Sequence, residues 1–152
     1  MTERTSRMLS DLDARARPQF YPMFERLDKA LGESQYMVWE GRRSKQVQEA
    51  YYAQGRQSLS HVNVLRSRAG LYLLRGDKDN YIITKTLKSK HIDGLAMDVL
   101  PVDGKGRATW DYAHYRRFFV IIVESGRAAG LECGADWQDF PDWPHYEIKG
   151  EV

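Results

Sequence analysis

Ser89-Lys90-His91-Ile92-Asp93-Gly94-Leu95-Ala96-Met97-Asp98-Val99-Leu100 is the stretch on which the reading of the chain turns. From Leu95 onward a strand would place Leu95, Met97 and Val99 on one face and Ala96, Asp98 and Leu100 on the other. One carboxylate therefore enters an otherwise apolar strand, and the small Ala96 leaves space beside it. His91 lies seven residues before Asp98, too far for the i, i+4 pairing of two groups on a helix. The two side chains can meet only through a bend, and Gly94 has the backbone freedom to make one.

Outward from this strand, helix and strand signals alternate without a βαβ rhythm. Phe20, Phe24, Leu27 and Leu31 form one helical stripe closed by Gly32 and read as core. Pro18 suits the first turn, whereas Pro22 is expected to delay or kink the start. Gln35 to Glu40 reads as a short strand ending at Gly41. Ser44 caps a helix that Gly55 closes, with Val47 and Tyr51 on its buried side. Ser60 to Ala69 reads as a helix stopped by Gly70, and Tyr81 to Thr86 as a strand. Trp110 to Ala129 is the longest helix, with Tyr115, Phe118, Phe119 and Ile122 inward and Gly130 at its end. Cys133 to Tyr146 reads as loop, followed by a last strand over Tyr146 to Lys149. The pattern predicts an α+β fold: a single domain with a small antiparallel sheet flanked by helices.

A chain of 152 residues, 42% apolar and 29% charged, suits one globular domain. A net charge of +2 is far from a nucleic-acid signature. The single cysteine, Cys133, has no intramolecular partner, so it reads as a small buried hydrophobe in a reducing compartment. The first 30 residues contain no signal-peptide apolar core, and no apolar run approaches the roughly 20 residues of a membrane span. The expected location is the cytoplasm, until something else lets the protein out.

The chemistry depends on a second stretch, Asp142-Trp143-Pro144-His145. His91, Asp98 and His145 supply two imidazoles and a carboxylate. That set matches a hydrolytic zinc site, with three protein ligands and a fourth position left for water. A further carboxylate beside a metal-bound water could act as general base. On residues alone Asp142, Asp136 and Asp139 all remain open for that part. His61, at a helix start, and His114, beside Arg116 and Arg117, read as ordinary surface groups. Trp137, Phe140, Trp143 and Tyr146 recur every three residues and read as rings that pack a proline-interrupted loop.

These segments together resemble the M15 family of zinc peptidases. S-x-H-x-x-G-x-A-x-D at 89–98 and the D-W-x-x-F-x-D-x-P-H-[FY]-E pattern at 136–147 are similar to its motifs. Trp39-Glu40-Gly41-Arg42-Arg43-Ser44 resembles its G-Y-R turn, with Arg42 standing where Tyr is usual. Tyr52-Ala53-Gln54-Gly55-Arg56 resembles a segment of the endolysin branch, and the likeness runs from about Val38 to Ile148. It implies a Hedgehog/DD-peptidase-like fold, with Zn2+ on His91, Asp98 and His145. It assigns Asp142 as base and leaves Asp136 and Asp139 structural. Arg43 takes the place of an arginine that stabilises the developing oxyanion. Ser89 would orient a ligand or substrate group, Gln48 and Arg56 would contact substrate carboxylates, and Glu147 would hold a ligand histidine.

The chain departs from the branch at Cys133-Gly134-Ala135-Asp136-Trp137, where W-G-G-D-W is usual. Its stretch between Arg56 and Ser89 is also longer than in the shortest members, and is expected to form a lid or substrate wall. The activity implied is hydrolysis of the L-Ala-D-Glu bond of peptidoglycan stem peptides by a monomeric phage-type endolysin without a wall-binding domain. A holin-type membrane partner would release it to lyse the host. The alternatives are a D,D-carboxypeptidase removing terminal D-Ala and a non-catalytic, metal-holding wall-binding module.

Overall fold

The computed structural model describes residues 1–150. They pack as two compact units, one formed by Met1–Arg42 with the chain from Asp93 onward, the other by Arg43–Ile92.

The first unit begins with a helix that the apolar pattern did not signal, α1 (Glu3–Ser10), capped by Thr2, whose hydroxyl accepts the Thr5 N–H. α2 (Arg17–Ala30) follows, burying Phe20, Met23, Phe24 and Leu27. Pro22 stands inside this helix and does not delay it; the helix begins five residues earlier and forgoes one intrahelical bond there.

Among the described residues the sheet has four antiparallel strands, β1 (Tyr36–Glu40), β2 (Ala96–Pro101), β3 (Glu132–Cys133) and β4 (His145–Glu147), in the order β1-β2-β4-β3. β3 was not anticipated, and β4 begins one residue before the expected strand, so His145 lies within it. α5 (Tyr112–Ala128) is capped by Asp111 and kinked at Tyr115. Its inward residues are Phe119, Ile122 and Val123, while Tyr115, at the kink, and Phe118 are only half-buried. α2, α5 and one sheet face close over Val38, Met97, Val99, Leu131 and Tyr146. Each large apolar side chain taken from water there contributes about 1.5–3 kcal/mol. Cys133 lies in this core, and burial pushes its thiol up to about 11, as expected of a small hydrophobe.

The second unit contains α3 (Lys45–Ala53) and α4 (Leu59–Arg68), capped by Ser44 and Ser58. α3 buries Gln48, Ala50 and Ala53, whereas Val47 and Tyr51 are half-buried; a polar side chain thus occupies the inward face.

The expected strand at Tyr81 to Thr86 is absent: residues 71–90 run as irregular backbone with one short 3-10 turn at Asp77–Asp79. Its backbone bonds go instead to side chains of the two helices. Arg66 donates to the Tyr72 carbonyl (2.8 Å), and Asn63 both accepts from and donates to Leu74 (2.8 and 3.1 Å). Gln54 donates to the Asp79 and Tyr81 carbonyls (3.3 and 3.2 Å), Arg56 to that of Thr84 (3.0 Å) and Gln48 to that of Thr86 (2.8 Å). A β-branched run does not become a strand when side chains already satisfy its carbonyls.

Candidate metal centre

Antiparallel pairing of β2 with β4 sets Asp98 directly opposite His145. The Asp98 Oδ1 lies 3.4 Å from Nδ1 of the imidazole. The other ring nitrogen, Nε2, is 2.8 Å from Oε1 of Glu147, two residues further along β4 on the same face. A carboxylate that accepts the Nε2–H leaves the Nδ1 lone pair directed at the Asp98 side, the orientation a metal-binding histidine requires. Replacing Glu147 by Gln, which removes the charge and keeps the shape, should weaken zinc binding about 10–100-fold. Competition against a chelating dye reads this directly, and unchanged affinity would remove Glu147 from the site.

Electrostatics of the pair follow from the same contacts. Burial works against a charged His145, but the hydrogen bonds to Asp98 and Glu147, with the charges of Asp98 and Asp142, outweigh it. The pKa rises from 6.5 to about 9. In the metal-free protein this imidazolium adds stability that is complete below pH 6.5 and lost as pH rises through 9. A cation must displace that proton, so its affinity should climb about tenfold per pH unit up to pH 9 and then level off. Calorimetric titration across that range gives the slope; a flat profile would exclude His145 as a ligand.

The segment before β4 is fixed by its backbone. Asp142 donates its N–H to the Gly134 carbonyl (2.9 Å) and accepts the His145 N–H (3.2 Å), while Pro144 accepts from Val99 (2.8 Å). Gly134 makes this closeness possible, since a Cβ there would collide with the Asp142 carbonyl oxygen and stand 3.0 Å from the His145 Cβ. The three loop carboxylates are not equivalent. Asp136 is bound by the Arg127 guanidinium and held below the usual carboxylate range, and Asp139 is exposed. Asp142 is the one next to a candidate ligand. Trp137 packs its ring 5.0 Å from that of His145, and Trp143 packs on Tyr112.

In the second unit, His91 is buried, donates its N–H to the Ser89 hydroxyl (3.2 Å) and accepts the Arg43 N–H at its carbonyl (2.9 Å). Arg43, half-buried, donates to Oε1 of Gln48 (2.6 Å) and lies 4.9 Å over the Tyr51 ring, whereas Arg42 is exposed. Gln48 thus aligns an arginine. Arg56 stacks on Tyr52 at 4.0 Å and binds the Tyr52 and Thr84 carbonyls, so its guanidinium holds main chain. His61 and His114 are exposed, and His114 pairs with Asp111.

The chain thus offers two imidazoles and a carboxylate as candidate ligands, Asp98 and His145 paired in the first unit and His91 in the second. Two imidazoles and one carboxylate, largely buried and with one imidazole held from behind by Glu147, fit zinc better than calcium or magnesium, which take oxygen ligands. Sequence reading did not include Gly134. The stretch Cys133-Gly134-Ala135-Asp136-Trp137 gives no local signal for it, because the decisive contact is with Asp142, eight positions later.

An M15 peptidase family profile described as D-alanyl-D-alanine carboxypeptidase matches residues 83–148, a span that includes His91, Asp98, Asp142, His145 and Glu147. The peptidoglycan L-alanyl-D-glutamate endopeptidase CwlK of Bacillus subtilis is 28% identical over 117 residues, 74% of this chain. The chain spans 59% of the length of that curated relative. The crystal structure of the L-Ala D-Glu endopeptidase ChiX of Serratia marcescens shares the fold, with a TM-score of 0.57 at 21% identity over 98% of this chain and 89% of that one. Over residues 83–148, fewer than half of its positions, the chain is similar to the M15 family of peptidases.

Proposed function

We propose that the protein is a zinc-dependent peptidoglycan endopeptidase that hydrolyses the L-Ala-D-Glu bond of stem peptides. The reading rests on the donor set His91, Asp98 and His145, in which Asp98 and His145 face each other across paired strands, Glu147 holds the imidazole from behind and Asp142 lies three residues before it. The activity printed for the relatives CwlK and ChiX supports the choice of bond. Zinc held by these three residues would supply Lewis acidity to the attacking water and the scissile carbonyl.

The remaining roles fall to the chain's own groups. Asp142 takes a proton from the attacking water and returns it to the leaving amine. The Arg43 guanidinium, aligned by Gln48 and Tyr51, stabilises negative charge developing on the carbonyl oxygen. Ser89 holds the His91 backbone in position. In this reading the enzyme works as a monomer and lyses a bacterial host from within, as a phage endolysin does. It waits in the cytoplasm until a holin-type partner opens the membrane.

The family profile's description favours a second reading, removal of terminal D-Ala by a D,D-carboxypeptidase. Mass spectrometry of fragments released from purified peptidoglycan by the zinc-loaded protein separates the two. The proposal expects stem peptides that begin at D-Glu. Loss of D-Ala alone would replace it with the second reading, and no cleavage would leave a metal-holding wall-binding module.

A further inference from the structure

Residues 71–90 are held mainly through their backbone, and many of their own side chains are exposed. Among the described residues, six of the eleven large apolar side chains that are exposed lie here: Tyr72, Leu73, Tyr81, Ile82, Ile83 and Leu87. Tyr72 is 78% and Leu73 55% accessible, and apolar side chains grouped in one segment, unlike single scattered ones, mark an interaction surface. Arg75, Lys78, Lys85, Lys88 and Lys90 are interleaved with them, against only Asp77 and Asp79.

Charge sharpens the picture. Arg43–Ile92 contains ten Lys and Arg and three Asp and Glu, while the chain as a whole has 23 and 21. The rest of the chain therefore has 13 against 18, so a net charge of +2 is the sum of one unit at +7 and another at −5.

We infer that the 71–90 strap is a docking surface for an anionic phospholipid bilayer, with its apolar side chains entering the headgroup boundary and its lysines and arginines meeting lipid phosphates. Aliphatic and aromatic side chains set among cations are the composition that binds an acidic membrane surface. Nucleic acid is a poorer match, because Leu73, Ile82, Ile83 and Leu87 offer no ring on which a base could stack. No helix of the described residues is long and apolar enough to cross a membrane, so the contact is peripheral. The inference does not depend on the peptidase reading.

Co-sedimentation of the full chain with vesicles tests it. Phosphatidylcholine vesicles containing roughly a third phosphatidylglycerol should bind the protein, and phosphatidylcholine alone should bind it at least about tenfold more weakly. Leu73→Ser with Leu87→Ser, and separately Arg75→Glu with Lys88→Glu, should each lower binding to the anionic vesicles about tenfold. Both pairs should keep the wild-type melting temperature and wild-type cleavage of soluble stem-peptide fragments. If the leucine pair fails to fold, the charge pair and the lipid comparison carry the test.

No binding to anionic vesicles overturns the inference. So does a folded leucine variant that binds like wild type, which would reduce the effect to adsorption by charge. Slower cleavage of soluble fragments by folded variants would make the strap a substrate wall. Tighter binding to single-stranded RNA with the same residue dependence, or a dimer dispersed by these substitutions, would assign the surface to those partners instead.

Discussion

Asp142→Asn should lower turnover of purified peptidoglycan by about 10²–10⁴-fold while zinc content and melting temperature stay at wild-type levels. The expectation rests on what holds the residue. Both backbone bonds of Asp142, to Gly134 and from His145, are made by main-chain atoms, so an amide side chain leaves the turn intact. What changes is the capacity to accept a proton, together with one of the charges that act on His145. If Asp142 acts in the chemical step, kcat and kcat/KM fall together and KM moves little. A rise in KM at constant kcat would make the carboxylate a substrate contact, and full activity would end its assignment as base. Asp136→Asn is the comparison: its carboxylate is bound by Arg127, so that variant should lose some stability and little turnover.

Gly134→Ala should cost about 1–3 kcal/mol of stability and, in whatever remains folded, much of the activity. The added methyl meets backbone, the Asp142 carbonyl oxygen, and cannot be accommodated by swinging a flexible side chain aside. Relief requires the Asp142–His145 turn to move, and with it both the proposed base and a proposed ligand. Displacements of about 1 Å at reacting groups cost about 10²-fold in rate. Thermal melts combined with zinc affinity distinguish this from plain destabilisation, because a displaced His145 binds metal more weakly at temperatures where the protein is fully folded. A variant with wild-type affinity and turnover would show that the turn is more compliant than its contacts indicate. Ala135→Gly, one position along, should leave zinc affinity and turnover unchanged.

Much of the fold was legible because period and punctuation agreed. The alternation at Leu95 to Leu100, the stripe of Phe20, Phe24 and Leu27, and the Ser44 cap each gave an element within a residue or two of where it lies. The misreadings have a common physical cause. The Ile82-Ile83 run has strand composition, yet its carbonyls are claimed by Gln54, Arg56 and Gln48, partners that sequence distance conceals. Pro22 was given more power to break a helix than it has once Phe20, Met23, Phe24 and Leu27 are buried around it. Of the candidate site, residue types and spacing pointed to His91, Asp98 and His145, whereas the Asp98–His145 pairing is a matter of strand register. The choice among Asp136, Asp139 and Asp142 could not be made from composition, since it depends on an arginine in α5 that engages one of them.

The tethers between the two helices of the second unit and the segment that follows them have a consequence for how this protein can change. Gln48, Gln54, Arg56, Asn63 and Arg66 recognise carbonyl and amide groups, which every residue supplies. The path of residues 72–86 is therefore specified largely from outside and, apart from Asn80, whose side chain binds Gly55 and Gln57, its own lettering is left open to selection for other ends. Such a segment can be rewritten, by evolution or by an engineer seeking a different target surface, with little penalty in folding. Those five anchors and the glycine at position 55, whose backbone meets that of Tyr81 and Ile82, are where the tolerance should stop abruptly.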